Sequence, residues 1–456
     1  MNRGLMKTTS HFAMVAAAGL ALSVAQASAA DLGGNCCADL EERVEELEAT
    51  TARKGNRKVS LTISGQVNRT LMYWDDGGRS NTYWGLDNTN SSTRFGLSGN
   101  AKVSSEWTAG YSILIDVRDK ARSVTADQGS PNAAVGEDGA SLAGNQNGDH
   151  LIRLRDANFW LQREGLGRVT MGRLTTSGPS GVIDLGGVSV VAATGEGCIG
   201  TSLKFRNDAG TLTGANIGDF SMSCAHPTFR NEGVKYTSPT WNGFVMSASI
   251  GEAAKVEQDS TDGRVNIGRT LGVDLRYANE FNGVRVAFGI GWEKSEANED
   301  DAGNIAAAQS GRYESWGISG SLMHVPTGLF VQAFWLEAEL APATAAGFGP
   351  ENKADMWHIQ AGVARNFFGI GNTVLYAEYA NFNDWLRLNT AGVGQNLLLA
   401  PTSDKMDVWG LGIVQNIDAA AMELYLGYRN YSASANTSTT GLKDIDVIAA
   451  GARIRF

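Results

Sequence analysis

Histidine, cysteine and clustered charge carry most protein chemistry, and this chain of 456 residues has only five histidines and four cysteines. Four of the histidines, His150, His226, His324 and His358, lie beyond the N-terminal leader described below. A hydrolase would need one of them as a base beside a serine or cysteine nucleophile. None adjoins a serine in such a context: His150 precedes a strand, His226 sits in a long insertion, His324 flanks a short turn and His358 shares the polar phase of Gln360. The cysteines, Cys36, Cys37, Cys198 and Cys224, have no zinc-site spacing with histidine. Enzymatic chemistry is therefore not expected, and neither is a metal or cofactor. What remains is electrostatic: arginines recur at regular positions, including Arg94, Arg173, Arg276, Arg285, Arg429 and Arg453.

The segments that carry these arginines alternate with period two, the pattern of a half-buried strand. Val59, Leu61 and Ile63 alternate with serine and threonine. Trp107, Ala109, Tyr111, Ile113, Ile115 and Val117 face away from Ser112, Asp116 and Arg118. Leu271 to Tyr277, Val284 to Trp292 and Met422 to Tyr428 repeat the scheme, with Arg276, Arg285 and Arg429 on the polar face; strand phase likewise makes Arg453 lumen-facing. Arg155 shares the phase of Ala157 and Phe159, so it is expected at a rim or past a bulge. Glycine is abundant at 56 and proline scarce at 8, which suits strands joined by tight turns.

Alternation alone fits a soluble sandwich; the connections discriminate. Short turns (Glu164 to Leu166, Trp241 to Gly243, Phe281 to Gly283, Pro326 to Gly328, Phe368 to Ile370, Asp418 to Ala420) alternate with long polar loops such as Asp75 to Asn90, Asp119 to Asp149 and Asn381 to Ser403. Short turns on one side and long loops on the other mark a bacterial outer-membrane barrel. About sixteen strands of roughly ten residues each are expected, closed because every backbone polar group in hydrocarbon must be paired. The fold class is thus all-β, a transmembrane antiparallel β-barrel. Aromatics near strand ends, among them Trp292, Trp316, Trp335, Trp357 and Trp409, suit interfacial girdles.

The N-terminus reads as a secretory signal over residues 1–29: Arg3 and Lys7, an apolar core from Phe12 to Val24, then Ala27-Ser28-Ala29. No later apolar run reaches the length of a membrane helix. A formal charge of −10 and a pI near 5.1 exclude nucleic acid as a natural partner. Residues 30–57 switch to helical character, with Leu40, Val44 and Leu47 forming a short seam among acidic residues. That segment is either a periplasmic helix lying on its own barrel or a coiled coil joining copies. The barrel proper is expected over 58–456.

One connection breaks the pattern. Between Arg168-Val169-Thr170-Met171-Gly172-Arg173 and Val234-Lys235-Tyr236-Thr237-Ser238-Pro239 lies an insertion of roughly 58 residues, 175–232, far longer than an ordinary loop. Its apolar run Val188 to Ala193 implies that it packs on something, and the expected place is the barrel interior. Cys198 and Cys224 bracket its middle and are a disulfide candidate in an oxidising compartment.

Ser92-Thr93-Arg94-Phe95-Gly96-Leu97-Ser98-Gly99 resembles the second-strand motif of general diffusion porins. The strands on either side of the insertion are similar to those flanking that family's constriction loop, and Cys36 to Arg43 with Arg53 to Val59 resembles the alphaproteobacterial branch. The C-terminal strand ending in Phe456 resembles the family's assembly signal. The resemblance implies a homotrimer of sixteen-stranded channels in outer-membrane lipid, passing small hydrophilic solutes and ions, with an inward third long loop. It also implies a basic pore wall at Arg94 and Arg173. Asp184 and Glu196 of the insertion are placed across the lumen from them, although the family's usual loop tip is lacking. A substrate-selective channel, a barrel enzyme and a secreted adhesin are the competing readings.

Overall fold

The computed structural model describes residues 59–117, 128, 152–192, 199–222, 230–252, 269–296, 311–344, 347–390, 403–436 and 441–456. The expected signal segment (1–29) and the expected helix over 30–57, with Cys36, Cys37, His150, Glu196, Cys198, Cys224 and His226, lie outside them. Sixteen strands form one closed antiparallel barrel: β1 (Thr62–Asp75), β3 (Arg94–Lys102), β4 (Trp107–Val117), β5 (Ile152–Arg163), β6 (Gly167–Thr175), β9 (Arg230–Thr237), β10 (Phe244–Glu252), β11 (Arg269–Phe281), β12 (Val284–Glu296), β13 (Gly311–His324), β14 (Leu329–Thr344), β16 (Asn352–Arg365), β17 (Thr373–Asn383), β18 (Asp404–Ile417), β19 (Met422–Ala435) and β20 (Ile445–Arg455). Each pairs with its sequence neighbour, and β1 pairs with β20 from Gln66↔Arg455 to Asp75↔Asp446. Closure is completed by reciprocal backbone bonds between Gly65 and Phe456. Among the sixteen barrel strands described, no edge of the ring is left open, as hydrocarbon demands.

Additional strands belong to the long connections. β2 (Ser80–Asp87) folds back on the upper half of β1, while β3 pairs with its lower half. β7 (Lys204–Arg206) and β8 (Leu212–Asn216) form a hairpin inside the insertion, and β15 (Gly347–Phe348) pairs with the end of β14. A short helix, α1 (Trp385–Thr390), lies in the β17–β18 loop and is held by Asp404, which accepts from the Leu386 and Arg387 amides.

The turns follow from local chemistry. At Phe281 to Val284 the two central residues are Asn282 (φ 49) and Gly283 (φ 78), the left-handed pair that a two-residue hairpin turn requires. Apolar side chains on the outer phase are exposed to the bilayer, among them Phe159, Met246, Val273, Ile318 and Leu411. Aromatic pairs run across neighbouring strands on this face: Trp316 and Trp335 at 4.3 Å, Trp357 and Tyr379 at 5.1 Å, and Trp409 and Tyr428 at 5.1 Å between centroids. Nearer the short turns, Phe244, Tyr277 and Phe288 form a second group.

The inner face departs from the expected polar lining. Phe330, Phe334 and Leu336 on β14, Met356 on β16, Tyr376 on β17, Met406 and Val408 on β18, and Tyr425 and Tyr431 on β19 are buried, on the phase opposite to the lipid-facing residues. The reason is the insertion. Its Val188, Val190, Val191, Ile199, Leu203, Phe205, Ile217 and Phe220 join those residues in one apolar cluster. This sector of the wall is largely a hydrophobic core, with apolar side chains on both faces of its strands and the buried polar Gln332, His358, Gln360, Glu378 and Arg429 among those of the inner face.

Candidate functional site: the insertion and the arginine-bearing wall

The insertion leaves the wall at Thr175 and first crosses a groove made by glycines. Thr176 and Ser177 bond to Glu293, Ser247 and Ser249 on β12 and β10. A Cβ on Gly272 would lie 2.0 Å from the Ser177 carbonyl oxygen; one on Gly291 would lie 2.2 Å from the Gly178 oxygen and 2.7 Å from the Pro179 nitrogen. Side chains at these two positions would hold the segment off the wall. Ser180 then bonds Ser319 on β13 at 2.9 Å, and the Leu185 amide donates to Gln332 Oε1 on β14 at 3.2 Å.

Further on, Ala192 O accepts from Gln360 on β16 at 3.1 Å. Ile199 O accepts from the Tyr431 hydroxyl of β19, and Gly200 abuts Val447 of β20. The β1–β3 connection meets it from the other side: Asn88 Nδ2 donates to Val190 O at 3.0 Å and Asn90 Nδ2 to Ser189 O at 2.8 Å. The insertion therefore follows the inner wall from β10 round to β20.

Its β7–β8 hairpin forms a second contact among the long loops. Arg206 Nε donates to Asp76 Oδ1 at 2.8 Å, with both side chains almost wholly buried. Gln128 Nε2 reaches the other Asp76 oxygen at 2.8 Å, and Asn207 bridges Leu442. Phe205 and Phe220 pack edge to face at 5.3 Å. Beside them burial pushes the Asp219 carboxyl up, against hydrogen bonding from Asn216.

The arginines concentrate on the sector of β20, β1, β3, β5, β6 and β9. Arg94 Nη2 lies 3.3 Å from Ser91 Oγ, and Arg453 Nη1 donates to the same oxygen. Arg453 also binds Glu423, which Arg455 shares. Arg94 is in coulombic range of Arg155, Arg230 and Arg453, with Asp116 among them. Arg155 bonds Asp116 at 2.8 Å and occupies a bulge, because β4 pairs Leu114 with Asp156 and then Ile115 with Leu154. The extra residue releases Arg155 from the lipid-facing phase of Phe159. Arg173 lies opposite Glu232 at 4.0 Å, and Arg230 lies 3.7 Å from Asp156. Lumen-side residues such as Ser98, Ser112, Leu114 and Asn158 are only half-buried.

The remaining anticipated residues fall elsewhere. Arg276 pairs with Asp274 at 3.0 Å on the inner face of β11. Arg285 pairs with Glu280 at 3.0 Å beside the short turn. Arg429, on the inward phase of β19, is buried beneath the insertion and bound to Glu378 at 2.6 Å. Asp184 accepts from the Gly187 and Ser189 amides at 2.7 Å each and thereby shapes its own turn. Arg230 and Asp156 were missed in the sequence because the alternating phase does not reveal which side chains converge where β6 leaves the wall. His358 is buried 3.2 Å from Glu378, and His324 lies 2.8 Å from Thr327 at a short turn.

A closed sixteen-stranded barrel with lipid-exposed outer strands and a long inward insertion defines a membrane-spanning channel. The family model described as Gram-negative porin matches residues 13–436, and the chain belongs to that family. It is an outer-membrane channel of Gram-negative type, resident in the bacterial outer membrane. Among solved structures it is similar to an anion-selective porin from Comamonas acidovorans, with 15% identity, a TM-score of 0.51, and coverage of 87% of this chain and 100% of that one. OmpF of Salmonella typhi in complex with daunomycin aligns over 88% of this chain and 99% of its own at 13% identity and a TM-score of 0.47. No curated protein sequence matches the chain.

Proposed function

We propose that the protein is a general diffusion porin, a homotrimer in outer-membrane lipid that passes small hydrophilic solutes and ions down their gradients, and that it belongs to the alphaproteobacterial branch its N-terminal motifs resemble. The observation that carries the reading is the asymmetric filling of the barrel. Among the described residues, the insertion lies along β10 to β20 and does not cover the half-buried face of β3 to β5, beside which stand Arg94, Arg155 and the buried Arg453. In this reading residues 175–232 form the constriction, Arg94, Arg173 and Arg453 with Arg155 and Arg230 form its basic side, and Asp184 with Glu196 lies on the loop side. Arg276 and Arg285 tune the short-turn half of the lumen. A charged ring at a narrow point biases which ions pass.

The reading needs no catalytic step. His358 is engaged by Glu378 and His324 by Thr327, which supports a structural use for both. The signal peptide (1–29), the 30–57 helix as a joint between copies and a Cys198–Cys224 bridge complete the proposal. The test is planar-bilayer recording of the purified protein under a salt gradient, comparing wild type with Arg94→Ala and Arg453→Ala. Stepwise openings with a reversal potential moved toward cation preference in the variants are expected. Folded, inserted wild-type protein without conductance would refute the channel; unchanged reversal potentials would refute the basic wall.

A further inference from the structure

We propose that Glu378, Gln360 and Gln332 form a buried polar ladder that sets the position of the insertion, and hence the calibre and steadiness of the channel; this rests on the diffusion-channel reading above. The ladder begins at Arg429 on β19, whose Nε and Nη2 donate to the two oxygens of Glu378 on β17 at 2.6 and 3.2 Å. Glu378 Oε2 also accepts from Gln360 Nε2 on β16 at 2.9 Å and lies 3.2 Å from His358 Nε2. A carboxylate can only accept, so the His358 proton in that contact sits on Nε2. Gln360 Oε1 accepts from Gln332 Nε2 on β14 at 2.6 Å.

Among the described residues, three hydrogen bonds from this ladder reach the insertion. Gln360 Nε2 donates to Ala192 O at 3.1 Å, Gln332 Oε1 accepts from the Leu185 amide at 3.2 Å, and Gln332 Nε2 donates to Asp184 Oδ1 at 3.3 Å. The two ends of the segment from Asp184 to Ala192 are thus pinned to adjacent barrel strands. That segment includes Val188, Val190 and Val191, which pack into the apolar cluster. Gln332, His358, Gln360, Glu378 and Arg429 are all buried.

The chemistry explains why polar residues stand among Phe330, Phe334 and Met356. Apolar packing is non-directional and would tolerate the insertion sliding along the wall. A buried amide cannot slide without losing its partner in a dry environment, where an unmet hydrogen bond is costly. Glu378 orients Gln360 through its Oε2, and the Arg429 guanidinium holds Glu378, so the charged pair acts on Asp184, Leu185 and Ala192 through the two glutamines. These are positioning residues; none needs to touch a passing solute.

The experiment records single channels of the full-length protein carrying Gln360→Leu, Gln332→Leu or Glu378→Gln, beside wild type. Folding is checked for each by heat-modifiable migration on gels and by thermal unfolding. Loss of one such bond changes the population of displaced-insertion states by about tenfold. We expect correspondingly more frequent conductance transitions in the two glutamine variants, with a shifted main conductance level. A role confined to stability would lower the unfolding temperature and leave conductance, noise and reversal potential of the folded channels at wild-type values, and that result would overturn the proposal. Should Glu378→Gln fail to fold because Arg429 is left unbalanced, Gln360→Leu and Gln332→Leu, which leave the ion pair intact, decide the matter. Wild-type conductance in the same recordings separates failure of the ladder from failure of the channel reading.

Discussion

Replacing Gly291 by alanine is the sharpest test of how the insertion enters the lumen. The added Cβ would lie 2.2 Å from the Gly178 carbonyl oxygen, 2.3 Å from its carbon and 2.7 Å from the Pro179 nitrogen, all of them backbone atoms. Ordinary contact begins at 3.4 Å, so the carbonyl must retreat by the difference, 3.4 minus 2.2 or 1.2 Å. The strand cannot give way, because Gly291 pairs with both Asp274 and Gly317 in the barrel ladder. The insertion is therefore pushed off the wall and into the lumen, with loss of hydrogen bonding between Ser177 and Ser249. Overpacking of this kind costs about 1–3 kcal/mol.

Gly320→Ala on β13 is the matched control, since a Cβ there meets nothing within 4 Å. Bilayer recording and thermal unfolding of both variants make the assay. The expected outcome is lower single-channel conductance and a lower unfolding temperature for Gly291→Ala, with Gly320→Ala unchanged in both. If the two variants behave alike, the groove does not seat the insertion and the lumen path described above is wrong.

Two further outcomes concern the β7–β8 hairpin. Arg206→Met leaves the buried Asp76 carboxylate without its cation, held by Gln128 and the Gly78 and Arg79 amides, and should destabilise the loop assembly by about 3 kcal/mol, read as accelerated proteolysis of the intact barrel's loops. The double variant with Asp76→Asn should lose less than the two single changes summed. Asp219→Asn should stabilise the hairpin at neutral pH. Burial raises the Asp219 pKa from 3.8, so the folded state prefers the protonated form, and the carboxyl's contribution to stability declines as pH rises through the raised value. The gain from asparagine should therefore disappear in acid, and thermal unfolding at pH 3 and pH 7 measures it. A gain that grows in acid would reverse the sign of this reasoning.

Local chemistry in the sequence determined the barrel. Period-two alternation named the lipid face of β4, β11, β12 and β19, Asn282-Gly283 set a hairpin, and the alternation of short turns with long loops separated the two membrane sides. These signals are legible because each rests on neighbours within a few residues. The inward course of the insertion was readable from its apolar run, which needed something to cover it.

Tertiary structure alone decided which wall it covers. Arg429 and Arg453 share an inward phase and both are buried, yet Arg429 lies under Val191 and Ile199 bound to Glu378 while Arg453 meets Ser91 beside Arg94. Phe330 and Phe334 face inward against a rule that sends apolar side chains to lipid, because the insertion supplies a second apolar surface there. Arg155 is open between a rim and a bulge in the sequence, and the extra residue in β5 that makes it a bulge is fixed by the partners of Leu114 and Ile115. Alternation reports that a residue has two possible faces; what each face meets depends on contacts more than a hundred residues apart, which the period of a strand does not encode.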